Sequence, residues 1–186
     1  METGIKVLRE VMVNGFRPSV ARVYSPEDAA QHFYHFHKNR CVLLFMAEGP
    51  KGLVKATCRA IETAVEKFKS GIFEQVDSQL IEDWFKNLNW SQKDIDDEFE
   101  GMKNSDSHAG FTTEISADWE TIPKIYNNVM QRIRQEYPRV HDLTLLGGHS
   151  SHSYINGTNM YFVYNYRIRC APEDELIVYH HPLQRI

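Results

Sequence analysis

The sequence is poor in cysteine, has no long apolar run and carries no excess of positive charge, and each shortage removes a class of function. Three cysteines, Cys41, Cys58 and Cys170, contain no CxxC pair, which argues against a disulfide framework or a thiolate zinc site and for reduced thiols. No apolar stretch approaches the ~20 residues that span a bilayer. Lys6 and Arg9 fall in a mixed amphipathic stretch where a secretory leader would carry its apolar core, so a cytoplasmic location is expected. The net charge of -4, with basic residues scattered singly, leaves no footprint for nucleic acid. The glycines at 49 and 52 lack the GxxxxGK[ST] pattern of a phosphate loop and read as a turn. What remains is a chain of 186 residues, 42% hydrophobic, long enough for one domain with its own core.

Periodicity then divides the chain. Ile5, Leu8, Val11 and Met12 recur at helical spacing up to Gly15. An extended piece over 19–24 leads to Ser25-Pro26, a cap followed by proline at the first helical position, and a helix through His37. His32, His35 and His37 on that helix read as a solvated face, not a chelate. The apolar run 41–47 is a central-strand candidate, 53–68 a long amphipathic helix and 72–76 a returning strand. A helical acidic insertion is expected at about 78–109, its polar segment 104–109 mobile. Its KDIDDEFEG run lacks calcium-loop spacing and reads as a solvated helix face. A strand over 111–117, a helix cap at Asp118 and a helix carrying Ile122, Ile125, Tyr126, Val129 and Ile133 follow. Short connections and this order predict an α+β fold, ferredoxin-like, with a mainly antiparallel sheet and helices packed on one face, as a single domain over 1–186.

The stretch GGHSSHSYINGTNMYFVYNYR, residues 147–167, concentrates the chemistry. Asn156-Gly157 offers the positive φ angles of a tight turn, and alternation beyond it puts Met160, Phe162 and Tyr164 on one face and Tyr161, Val163 and Asn165 on the other. A tyrosine-lined hairpin can wall a flat ligand. A metal site built from His149 and His152 with His108 or His180 is not expected, because residues three apart on a strand point to opposite faces.

GFTTEISADWETIPKIYNNV, SHSYINGTNMYFVYNYR and the N-terminal LREVMVNGFRPSVARVYSPEDA resemble the C-terminal cap or substrate domain of FAD-linked oxidases of the vanillyl-alcohol oxidase superfamily, nearest its alkyldihydroxyacetonephosphate synthase branch. The resemblance covers nearly the whole chain and implies FAD in the parent enzyme, an FAD-binding domain as partner, in cis or in trans, and a small-molecule substrate. It implies Tyr161 as the acid/base group and Arg22 as a guanidinium near flavin and substrate, with His152, Tyr154 and Asn159 facing the same space. Two departures qualify it. Glu100 stands near the place of the family's phosphate-binding arginine, with Lys103 the nearby cation, which puts an alkyl-glycerone-phosphate substrate in doubt. The synthase's run of terminal histidines has no counterpart in His180-His181. Tyr161 stands where the metal-binding GHxGDGNxH pattern of related dehydrogenases has its second histidine, a replacement that the synthase branch shows. With neither flavin domain nor histidine tail, the chain is expected to be inactive by itself. The alternative is a free-standing α+β ligand-binding or protein-interaction module, possible as a homodimer through the face a flavin domain would cover.

Overall fold

A computed structural model describes residues 1–68, 73–86, 91–104 and 108–186. Helix α1, Glu2–Val13, presents Ile5, Leu8 and Met12 to the main core and Val7 and Val11 to a second cluster, as its spacing requires. Gly15, at φ 87°, ends it in the left-handed region that glycine adopts without penalty. Strand β1, Val20–Tyr24, pairs antiparallel with β2, Val42–Met46. Between them lies α2, Pro26–His32, which starts where expected: Ser25 is the cap, its Oγ accepting from the Asp28 N–H at 3.3 Å.

That helix stops five residues before the expected His37. Phe33 leaves helical geometry at φ -129°, ψ 39° and buries its ring against Tyr24, and Lys38 and Asn39 turn the chain back at φ 46° and 55°. Helix α3, Lys51–Lys67, packs Ala64 onto Val7 and Val11 of α1. The strand expected over 72–76 is a correction: residues 73–76 form no strand, and Phe73 packs into the α1–α3 cluster instead, while position 72 lies outside the described residues. Helices α4, Ser78–Lys86, and α5, Gln92–Asn104, account for the acidic segment. Of the stretch 104–109 expected to be mobile, 105–107 lie outside the described residues and His108 and Ala109 already belong to β3, His108–Asp118. Helix α6, Ile122–Glu136, then β4, Leu143–Ser150, and β5, Gly157–Arg167, follow.

The five strands form one antiparallel sheet in the order β2-β1-β4-β5-β3, an α+β architecture. Helices α1 and α6 cover one face, burying Val23, Met160, Phe162, Tyr164 and Tyr166 of the strands beneath Ile5, Leu8, Ile122 and Ile133. The C-terminal residues close that core: Tyr179 stacks on Tyr166 at 4.8 Å and Leu183 of the last helix, α7, His181–Gln184, is buried. On the opposite face α2 lies over β4 so closely that a Cβ at Gly147 would stand 2.9 Å from the Asp28 nitrogen. Ile81 and Trp84 of α4 pack beside it on Tyr24 and Phe33. Along β3 the outward residues stay exposed, so among the described residues the half of the sheet formed by β5 and β3 is left open.

Candidate active-site face

The period of two in β5 sends Met160, Phe162, Tyr164 and Tyr166 into the core and Tyr161, Val163 and Asn165 to the open face. Register does the rest. Val42 pairs with Tyr24, Tyr24 with His149, His149 with Tyr161 and Tyr161 with Glu114, so one row of outward side chains crosses all five strands. The His149 ring lies 5.1 Å from Tyr24 and 5.0 Å from Tyr161, tilted by 33° and 32°. Arg22, two residues before Tyr24 on the same face, donates from Nη1 to the Tyr24 hydroxyl at 3.1 Å.

At the far end of the row the Glu114 carboxylate accepts from the Asn159 amide at 2.8 Å and lies beside the Tyr161 phenol, its cross-strand partner. The Asn159 amide, and after it the Tyr161 hydroxyl, hold Glu114 below its ordinary value. Glu114 in turn raises the Tyr161 phenol by accepting toward its hydroxyl, with burial and the charge of Glu114 adding to the shift and Arg22 opposing it. In this chain the phenol is therefore pushed up, against the direction in which the Arg22 guanidinium acts.

Asn159 is 1% exposed and fully engaged. Its Oδ1 accepts from the backbone N–H groups of Ser151 and His152 at 2.9 and 2.8 Å, which fixes the amide's orientation and turns its NH2 toward Glu114 and the His152 Nδ1, 3.0 Å away. The His152 Nδ1 therefore accepts, and the neutral ring carries its proton on Nε2, outward. His152 lies 6.2 Å from Tyr161, ring to ring.

A family model described as "FAD linked oxidases, C-terminal domain" matches residues 1–180. The chain belongs to that family. Two curated proteins, each an FAD-linked oxidoreductase named YgcU, from Escherichia coli O157:H7 and from Escherichia coli strain K12, are 50% identical to it over 187 residues. The match covers 100% of this chain and 38% of either relative, so the chain spans well under half of their length. Two solved structures of alkyldihydroxyacetonephosphate synthase share the fold. One has a TM-score of 0.61 at 18% identity over 99% of this chain and 37% of that one; the other has 0.66 at 15% identity over 98% and 36%.

Within this FAD-oxidase C-terminal domain the structure brings together Tyr161, Arg22, His152 and Asn159 of the residues named from sequence. Asn159 lies beneath the face and holds other groups in place, with its own amide already used. Tyr154 stands apart, 63% exposed; with Met12, Pro18, Ser19 and His152 it borders a cavity of about 190 Å³ beside the end of α1. Glu100 sits on α5, exposed, and the Lys103 side chain lies outside the described residues.

Two local expectations are corrected. Asn156-Gly157 is not a positive-φ turn: the connection spans 151–156, and glycine is needed at 157 because a Cβ there would be driven into the Ala117 carbonyl of β3. His149 and His152 do not point apart either, since β4 ends at Ser150 and the loop swings His152 to the same side of Tyr161. His180 instead rests on Phe111 of the core face, ring centroids 4.1 Å apart. Among the described residues no three His, Cys, Asp or Glu side chains gather to hold a metal, and no helix is long and apolar enough to cross a membrane. Sequence reasoning weighed His149 only as a metal ligand and gave Asp28, Tyr24 and Glu114 no place in the site. For Asp28 the available signal was Ser25-Pro26-Glu27-Asp28, read only as a helix cap.

Proposed function

We propose that this chain is the substrate-binding cap of an FAD-linked oxidoreductase, working with a flavin-binding domain in the same or another chain. The observation that carries the reading is the convergence of Tyr161, Arg22 and His152 on one face of the sheet, beside the Glu114 carboxylate. The donor set fits a flavin and its substrate: a half-buried tyrosine ring offers a flat apolar contact, and the Arg22 guanidinium offers a fixed positive charge for developing negative charge. FAD, when bound, supplies the two-electron redox chemistry. The chain's own groups bind and orient a small molecule and move its protons. The Tyr161 phenol faces Glu114, so it can take a proton from the ligand while its own passes toward that carboxylate. Such a cap by itself is expected to turn nothing over.

The test is Tyr161→Phe in the FAD-containing protein, which keeps the ring and removes the hydroxyl. Turnover should fall by about 10²-fold or more, in the usual range for lost acid/base catalysis, with FAD content and melting temperature unchanged. Turnover within about twofold of the parent would overturn the assignment.

A further inference from the structure

Asp28 is 1% exposed, and carboxylates so deeply placed are paired. Its two oxygens are divided between two imidazoles: Oδ2 stands 2.6 Å from Nδ1 of His149 and Oδ1 stands 3.5 Å from Nε2 of His32. Burial acts to raise this carboxyl, but the hydrogen bonds and charges of His149 and His32 outweigh it and leave the group below its ordinary value, ionised near neutrality. An ionised carboxylate only accepts. Nδ1 of His149 must therefore be the protonated nitrogen, which leaves the lone pair of a neutral ring on Nε2, and Nε2 has no hydrogen-bond partner among the described residues. Tyr24 and Tyr161 pack against the ring from either side and keep it from turning away. A histidine oriented through one nitrogen by a buried carboxylate, its other nitrogen bare beside Tyr161, is the arrangement of an oriented general base.

We propose that His149 is a second proton-transfer group of this face, taking a proton on Nε2 from a hydroxyl of the bound small molecule, with Asp28 as its positioning residue. The O–H bond breaks with its electron pair left on the substrate oxygen, the Nε2 lone pair forms the new N–H bond, and the imidazolium is balanced by Asp28; the reverse step returns the proton. Charged or titratable groups facing the ring are Asp28 and His32 from α2, Arg22 and Tyr24 from β1, Tyr161 from β5 and Glu114 from β3. This rests on the cap reading for the identity of the bound molecule, but the tautomer does not.

Two measurements decide it. Nitrogen-15 spectra of the chain, with the His149 ring assigned by through-bond correlation to its own backbone, should show the neutral ring protonated on Nδ1. Asp28→Asn should shift the population toward the Nε2-protonated form. A wild-type ring protonated on Nε2 overturns the proposal without any variant needing to fold. In the FAD-containing protein His149→Gln should lower kcat by about 10²-fold, the usual scale of general-base loss, with KM within about threefold, and Asp28→Asn should fall between it and the parent. If Tyr161→Phe is impaired and His149→Gln is not, this inference alone fails. If neither is impaired, the cap reading fails with it.

Discussion

Replacing Asn159 by alanine tests how the loop after β4 is held. The amide accepts from the N–H groups of Ser151 and His152 and donates to Glu114 and His152. Removing it leaves two backbone donors without their partner. A buried orphan costs about 1–3 kcal/mol; because residues 151 and 152 lie at the surface and water reaches them, the lower end applies, about 1 kcal/mol each. The expected loss is about 2 kcal/mol, which for a chain of this length lowers Tm by about 4–8 °C. Urea denaturation followed by circular dichroism gives the free energy, and calorimetry the Tm. Asn159→Asp separates the two halves of the argument. It keeps the acceptor for both N–H groups but sets a second carboxylate against Glu114, so it should be destabilised at neutral pH and recover relative to the parent as acid protonates the new group. An alanine variant within about 0.5 kcal/mol of the parent, or an aspartate variant as stable as the parent at neutral pH, would refute the reasoning.

Gly157→Ala places a methyl group against the Ala117 carbonyl and should cost about 1–3 kcal/mol, the usual range for overpacking; chemical denaturation measures it, and an unchanged midpoint would contradict the close approach of β5 to β3. Asp28 has its folded-state pKa depressed below the reference value of 3.8, so the stability it contributes is present above that value and is lost as pH falls through the lower folded value. The stability difference between the parent and Asp28→Asn should therefore be constant from neutrality down to about pH 5 as far as Asp28 is concerned, and should shrink in more acid solution. A difference that grows on acidification below about pH 5 would reverse the assigned sign.

Much of the frame was legible because its causes are local. The stripe of Ile122, Tyr126 and Ile133 makes an amphipathic helix whatever it packs on, and Ser25 with Pro26 starts α2 by capping geometry alone. The end of α2 was not legible, because Phe33 leaves the helix for a pocket made by Tyr24 and Trp84 from distant segments. Nor was the role of Gly157: Asn-Gly is a turn signal locally, but the requirement for glycine comes from a carbonyl forty residues earlier in the chain. His149 and His152 were misplaced for a related reason, since the point at which β4 leaves the sheet is set by its pairing with β1 and β5.

The sequence by itself determined the α+β class, the family and the face of β5 on which Tyr161 stands, since alternation and motif are properties of consecutive residues. Only the tertiary structure decided that Tyr24, His149, Tyr161 and Glu114 form one row over Asp28, because those residues come from four strands joined in the order β1-β4-β5-β3, and the antiparallel register between distant segments is written in no one of them.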